Sequence, residues 1–144
     1  MRVHNTILIL ASILAFTSLG LQAEQLLEAE RHNIHYNAFN SSMLSPETAS
    51  QYSIQRSQSL GVLNIAVLDK TDKAVTAFIA GQTKNSLGQV SEMNFRKVTE
   101  GKAIYYIATF EFIDKGNLSF DFYVVPEGEK QKTKVSFSQQ FLKE

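Results

Sequence analysis

The sequence predicts an all-β fold: a single antiparallel β-sandwich of immunoglobulin type, with about seven strands and one short helical connection. From Asn33 onward, apolar residues recur at every second position, which is typical of strands with one buried face. Polar turn signals separate these stretches, among them 69–73, 100–101 and 114–117. A small closed barrel is the alternative, because barrels use the same alternation. The strands are expected at about 33–39, 60–69, 74–82, 92–99, 103–112, 118–125 and 133–141.

The alternation is clearest toward the end of the chain. Phe110 and Phe122 are each flanked two positions away by apolar residues, and each has an acid next to it, Glu111 and Asp121. A period of two then sends the phenylalanines into the core and the acids to the solvent.

One helical signal interrupts the strands. Ser45, Pro46 and Glu47 form the N-cap, first-turn proline and early acid of a helix that is expected to end near Tyr52. The many serines between 41 and 59 are interpreted as turn residues of a polar surface connection.

The first 23 residues are typical of a cleavable secretory signal. Arg2 gives a positive start, and residues 6–21 follow without a charge. The apolar part is interrupted by polar residues and is shorter than the roughly 20 apolar residues of a membrane span. We expect cleavage between Ala23 and Glu24, which divides the chain into a signal peptide (1–23), an N-terminal arm (24–32) and a sandwich domain (33–144).

Charge and cysteine content exclude several classes of function. Removing residues 1–23 deletes one of the 14 basic residues, Arg2, and none of the 14 acidic ones, which leaves a net charge of −1. Such a chain lacks the excess of basic residues that binding to nucleic acid requires. It contains no cysteine, so thiol catalysis, thiolate metal sites and lipidation of an N-terminal cysteine are excluded.

His32 and His35 are the only histidines that remain after cleavage. On a strand, an odd separation sends two side chains to opposite faces, so this pair is not expected to share a metal ion. The alternative is a copper or zinc site that uses His32 or His35 with a soft ligand, Met43 or Met93.

Catalytic motifs are missing from the sequence. The serines do not form a Gly-x-Ser-x-Gly nucleophile elbow, and the glycines do not form a phosphate-binding loop. We therefore assign no catalytic residue, no cofactor-binding residue and no cofactor.

Two tyrosines suggest a contact surface. Tyr105 and Tyr123 are predicted to point outward from neighbouring strands, where they would form an exposed aromatic patch suited to a partner or a sugar. Alternatively, the N-terminal arm or the 40–59 connection covers this face.

Four segments resemble one bacterial family: 35–41 (HYNAFNS), 61–69 (GVLNIAVLD), 95–108 (FRKVTEGKAIYYIA) and 118–121 (LSFD). It is the family of domain of unknown function 4426, small exported proteins chiefly of gammaproteobacteria. The likeness spans roughly residues 31–142. It implies a single domain in a Gram-negative periplasm and assigns no functional residue.

The sequence therefore predicts a periplasmic β-sandwich that acts as a non-catalytic binding or accessory module of the cell envelope. The contact surface is expected at the sheet edges or at Tyr105 and Tyr123, because sandwiches recruit partners by edge pairing. The alternative function is periplasmic handling of copper or zinc.

Overall fold

The computed structural model describes residues 24–144, so the predicted signal peptide and the Ala23 side of its cleavage site lie outside the described residues. The described chain forms nine strands, a 3₁₀ turn at Ser41–Met43 and one α-helix, α1 (Pro46–Gln51). The strands are β1 (Gln25–Glu28), β2 (His32–Asn40), β3 (Leu60–Asp69), β4 (Ala77–Lys84), β5 (Val90–Met93), β6 (Arg96–Glu100), β7 (Ala103–Glu111), β8 (Asn117–Pro126) and β9 (Thr133–Gln140).

The strands form two antiparallel sheets that pack face to face. The first sheet has the order β1-β2-β3-β7-β6 and the second the order β5-β4-β8-β9. The order β2-β3-β7-β6 corresponds to strands A, B, E and D of an immunoglobulin sandwich, and β4-β8-β9 corresponds to C, F and G. The predicted immunoglobulin-type sandwich is confirmed, and the closed-barrel alternative is wrong for the described chain.

Two details of the predicted strand list are wrong. The expected strand at 92–99 is two short strands, β5 and β6, because the chain leaves the second sheet at Asn94 and Phe95 and joins the first. Residues 25–28, which the sequence assigns to the N-terminal arm, form a strand that pairs with residues 33–36 of β2. Little in the sequence indicates β1, since its four residues carry only Leu26 and Leu27 as apolar side chains.

Alternation places the apolar side chains of both sheets between them. In β8 the even-numbered residues from Leu118 to Val124 are buried, whereas Tyr123 on the opposite face is exposed. Phe122 is 0% exposed and Phe110 is 5% exposed, while Glu111 points to solvent. The predicted register of these strands is confirmed.

Aromatic rings form the centre of the core. Phe120 stacks on Phe137 with ring centroids 4.5 Å apart, and it meets Phe110 edge to face at 4.9 Å. Phe110 lies over Gly61, where a Cβ atom would stand 2.2 Å from the ring, so only glycine fits opposite this phenylalanine. Of these contacts, the one between Phe110 and Phe120 joins the two sheets, in a chain without disulfides.

Helix α1 begins as the sequence predicts. The Ser45 hydroxyl oxygen accepts a hydrogen bond from the Thr48 backbone N–H, and Pro46 occupies the first turn. The C-cap is Tyr52, the residue near which the helix was expected to end.

The burial pattern makes a prediction about stability. Phe122→Ala should lower the free energy of unfolding by about 3–5 kcal/mol, because it removes apolar contacts and leaves a cavity. Glu111→Ala is the control and should change the free energy by no more than about 0.5 kcal/mol, as exposed positions do. Urea unfolding followed by circular dichroism measures both. Equal losses for the two variants would show that the strand register is wrong.

Candidate functional site

The outer face of the first sheet is covered. Residues 41–59 cross it and bury Leu44, Ala49 and Ile54 against side chains of β3 and β7. The cover is also attached at the edge strand β6, where the Tyr52 hydroxyl and the Gln51 amide both donate to Glu100 Oε1. The sheet face that these residues occupy is therefore closed to a partner.

Tyr105 lies beneath this cover. Its side chain points outward from β7, as predicted, but it is only 3% exposed. Burial, together with the negative charges of Glu100 and Glu24, raises the pKa of Tyr105 to about 12. Its hydroxyl has no hydrogen-bond partner within the described residues. Tyr105 thus belongs to a second small core and is unable to serve as an exposed contact.

Tyr123 lies in the other sheet, on the opposite side of the molecule. Strands β7 and β8 follow each other in sequence but belong to different sheets, because the chain crosses the sandwich between them. The shared face of Tyr105 and Tyr123 expected from the sequence therefore does not form. Tyr123 alone remains accessible, with 37% of its surface exposed.

The outer face of the second sheet, which we call the open face, carries Tyr123. Phe78 is 70% exposed there and lies opposite the half-buried Val125, and the next pair along the sheet is Ala80 with Tyr123. Farther along, the pair Gln82 and Asp121 continues the row. Sequence reasoning missed Phe78, although its position between the half-buried Ala77 and the buried Ile79 follows the same alternation that places Tyr123 outward.

Charged side chains surround the ring of Tyr123. The Nζ atoms of Lys132 and Lys134 lie 4.6 Å and 5.9 Å from the ring centroid, within the range of cation–π attraction. Asp121 accepts a hydrogen bond of 2.5 Å from the Ser136 hydroxyl and lies 3.9 Å from Lys134 Nζ. The open face thus combines exposed aromatic surface with two ammonium groups.

A shallow hollow of about 700 Å³ adjoins these residues. It extends from Tyr123 and Asp121 across β4 to Glu92 and to Phe95 in the link between β5 and β6. Both polar and apolar side chains line it. A peptide or another extended ligand would have groups of both kinds to contact.

The two histidines lie on different faces of β2. His32 Nδ1 is 4.0 Å from Glu129 Oε1, whereas His35 Nδ1 is 3.4 Å from Glu24 Oε1. Residues 24–144 hold no group of three or more histidine, cysteine or acidic side chains that could bind a metal ion. Met93 is buried in the core between the sheets, and Met43 lies in the 3₁₀ turn after β2. The structure therefore does not gather the ligands that the metal hypothesis requires.

The serines of the 41–59 connection serve the backbone, as predicted. Ser41 Oγ accepts from the Ser57 backbone N–H, and Ser57 Oγ accepts from the Ser59 backbone N–H. Ser45 caps α1. These bonds join residues of the connection to one another and fix its turns and the start of α1.

The chain belongs to the family described as domain of unknown function DUF4426, whose sequence profile matches residues 27–144. This confirms the resemblance found in the sequence. A crystal structure of a DUF4426 family protein from Pseudomonas aeruginosa is similar, with 34% sequence identity and a TM-score of 0.75. The match covers 86% of this chain and 98% of that one.

The fold is also similar to that of FetP from uropathogenic Escherichia coli. A copper-bound variant of FetP matches with a TM-score of 0.61 and 10% identity, covering 85% of this chain and 97% of that one. FetP as isolated after expression in the periplasm of Escherichia coli matches with a TM-score of 0.59, also at 10% identity, covering 85% of this chain and 98% of that one. At this identity the likeness concerns the fold alone.

A comparison with curated proteins gives no significant match. Within residues 24–144, no helix is long and apolar enough to cross a membrane.

The positions of the histidines predict how the protein responds to metals. Excess copper or zinc, or a chelator, should leave the melting temperature nearly unchanged. A site filled at 100 times its dissociation constant would add about 2.7 kcal/mol, which is several degrees in a domain of this size. Thermal unfolding of the wild type and of His35→Ala measures this. A rise of that size in the wild type, lost in His35→Ala, would contradict the expectation.

Proposed function

We propose that this protein is an exported, non-catalytic binding module of the bacterial cell envelope, and that the open face is its contact surface. The observation that carries the proposal is the difference between the two outer faces of the sandwich. Residues 41–59 cover the first, whereas the second leaves Phe78 and Tyr123 exposed. Export and a periplasmic location are supported by the signal-like sequence of residues 1–23.

Exposed aromatic surface favours a binding role. An isolated apolar side chain on a surface is ordinary, but Phe78, Val125 and Tyr123 lie in adjacent rows of one sheet face. Burial of a phenylalanine of this kind contributes about 1.5–3 kcal/mol to association. Aromatic side chains are also enriched among the residues that dominate binding energy in protein interfaces.

The charges on the open face indicate the chemistry of the partner. Lys134 is near Asp121, but Lys132 lies over the Tyr123 ring and pairs with no acidic group within the described chain. An acidic group on the partner would approach both ammonium groups while its apolar side chains cover Phe78. We therefore propose a polypeptide partner whose contact surface is apolar with an acidic residue beside it.

A non-catalytic role agrees with how the polar side chains are used. The serines of 41–59 make turn and cap bonds, and the two histidines each lie beside a different glutamate. These groups stabilise the fold. Recognition of a partner is then the role that the open face supports.

Handling of copper or zinc is the second candidate. The contact of His35 with Glu24 places two possible ligands on one face of the first sheet. A variant of FetP, whose fold is similar, has a structure with copper bound. The metal titration of the wild type and His35→Ala separates this candidate from the binding module.

The proposed contact surface is tested by substitution. Phe78→Ser and Tyr123→Ala should each sharply reduce capture of a partner from periplasmic extract by the mature chain, measured by quantitative mass spectrometry after cross-linking. Leu87→Ser is the matched control, since Leu87 is 73% exposed but lies in the turn between β4 and β5. Melting temperatures of all variants verify that they fold.

The proposal fails if the open-face variants capture the same proteins in the same amounts as the wild type. It also fails if Leu87→Ser loses them equally, because the captured proteins would then recognise exposed apolar residues without regard to position.

A further inference from the structure

Edge strands expose backbone N–H and C=O groups, and one of the four edge strands of the sandwich differs from the other three. Three of the edge strands, β1, β5 and β6, are only four or five residues long and carry charged side chains. These features prevent pairing with another chain. The fourth edge strand, β9, has eight residues, no proline and a single charged residue, Lys134. It is the longest of the four edge strands in the described chain and has the lowest proportion of charged residues.

The direction of the backbone groups in β9 follows from the ladder with β8. Phe141 donates its N–H to the Gly116 carbonyl, so the backbone groups of Phe141 point toward β8. Backbone groups of residues two apart point the same way along a strand. The N–H and C=O groups of the odd-numbered residues of β9 therefore bond to β8, and those of the even-numbered residues point away from β8 at the free edge. The outward residues are Lys134, Ser136, Ser138 and Gln140, all of them exposed.

The β4 side of β8 agrees with this assignment. Glu127 donates its N–H to the Thr76 carbonyl. The backbone N–H and C=O groups of the odd-numbered residues of β8 therefore point toward β4, and those of the even-numbered residues point toward β9. Phe120 and Phe137 are then a hydrogen-bonded pair, as their register requires.

We infer that β9 pairs antiparallel with β9 of a second copy of this chain, about a two-fold axis at Phe137. In this register Ser136 lies opposite Ser138 and Lys134 opposite Gln140, so all four outward-facing residues enter hydrogen-bonded pairs. Shifting the register by two residues in either direction leaves at least one of them without a partner. The single charged residue of the strand faces an amide, and no like charges are opposed.

Phe137 supports the same axis. It is half-buried at the margin of the core, stacked on Phe120 and 5.0 Å from the Tyr36 ring. On the two-fold axis it lies opposite the second copy's Phe137 in a non-hydrogen-bonded pair, where cross-strand side chains come closest. Each ring covers the exposed edge of the other, and the contact is self-complementary, as a two-fold interface must be.

The pairing joins two four-stranded sheets into one sheet of eight strands. The two open faces then lie side by side on the same surface. This inference does not rest on the proposed function, since it concerns the edge of the second sheet and not its face.

Disulfide trapping tests the register, because the chain has no cysteine of its own. A mixture of Ser136→Cys and Ser138→Cys chains should form a covalent dimer under mild oxidation, since Cα atoms of a hydrogen-bonded pair are about 5.5 Å apart, within disulfide range. Ser138→Cys alone should cross-link far less, because its counterpart in the second copy is offset by two residues. Ser91→Cys on the opposite edge strand, β5, is the matched control.

Light scattering of the mature protein supplies the second measurement. The wild type should be a dimer, and Ser138→Lys, which places a charge on the outward edge, should halve the apparent mass while keeping the melting temperature. A monomeric wild type would overturn the inference, as would a dimer that survives Ser138→Lys or cross-links through Ser91→Cys. A monomer that captures a different protein, with capture lost in Ser138→Lys, would also overturn it and assign the edge to a foreign strand.

Discussion

Strands β3 and β7 are apolar on both faces, and this constraint determines how the rest of the molecule is arranged. In β3, Leu63 and Ile65 point into the sandwich while Val62 and Ala66 point away from it, and all four are buried. Such a sheet needs cover on its outer side as well as on its inner side. The 41–59 connection supplies it, so residues that look like a polar surface loop in the sequence also bring Leu44, Ala49 and Ile54 onto the sheet.

The asymmetry of the sandwich follows from this arrangement. Strand β8 is apolar on its inner face and mixed on its outer face, and the second sheet has no covering segment among the described residues. The exposed aromatic and basic side chains of the open face and the unprotected edge of β9 therefore belong to the same sheet. The covered sheet is buried on both faces, and the uncovered one supplies the surfaces proposed for contact.

Local alternation predicted much of this structure. It located β2, β3, β4, β7, β8 and β9 within a few residues and placed Phe110 and Phe122 in the core, because a period of two is a property of each strand alone. It merged β5 and β6 into one strand, since the same alternation continues where the chain changes sheets. The distribution of strands between sheets depends on pairing between distant segments, so the sequence reasoning put Tyr105 and Tyr123 on one face. A signal was present in β7, where both Tyr105 and Tyr106 are bulky and flanked by apolar residues, which is typical of a strand buried on both sides.

Nitration of the folded protein by tetranitromethane, mapped by mass spectrometry, tests most directly whether one face is covered and the other open. Each of the two outward-facing tyrosines, Tyr105 and Tyr123, reports on one outer face. Tyr123 should be modified readily, whereas Tyr105, which is 3% exposed and has its pKa raised to about 12 by burial, should react only after unfolding. Modification of Tyr105 as fast as Tyr123 in the folded state would show that residues 41–59 do not cover the first sheet, which would contradict the account.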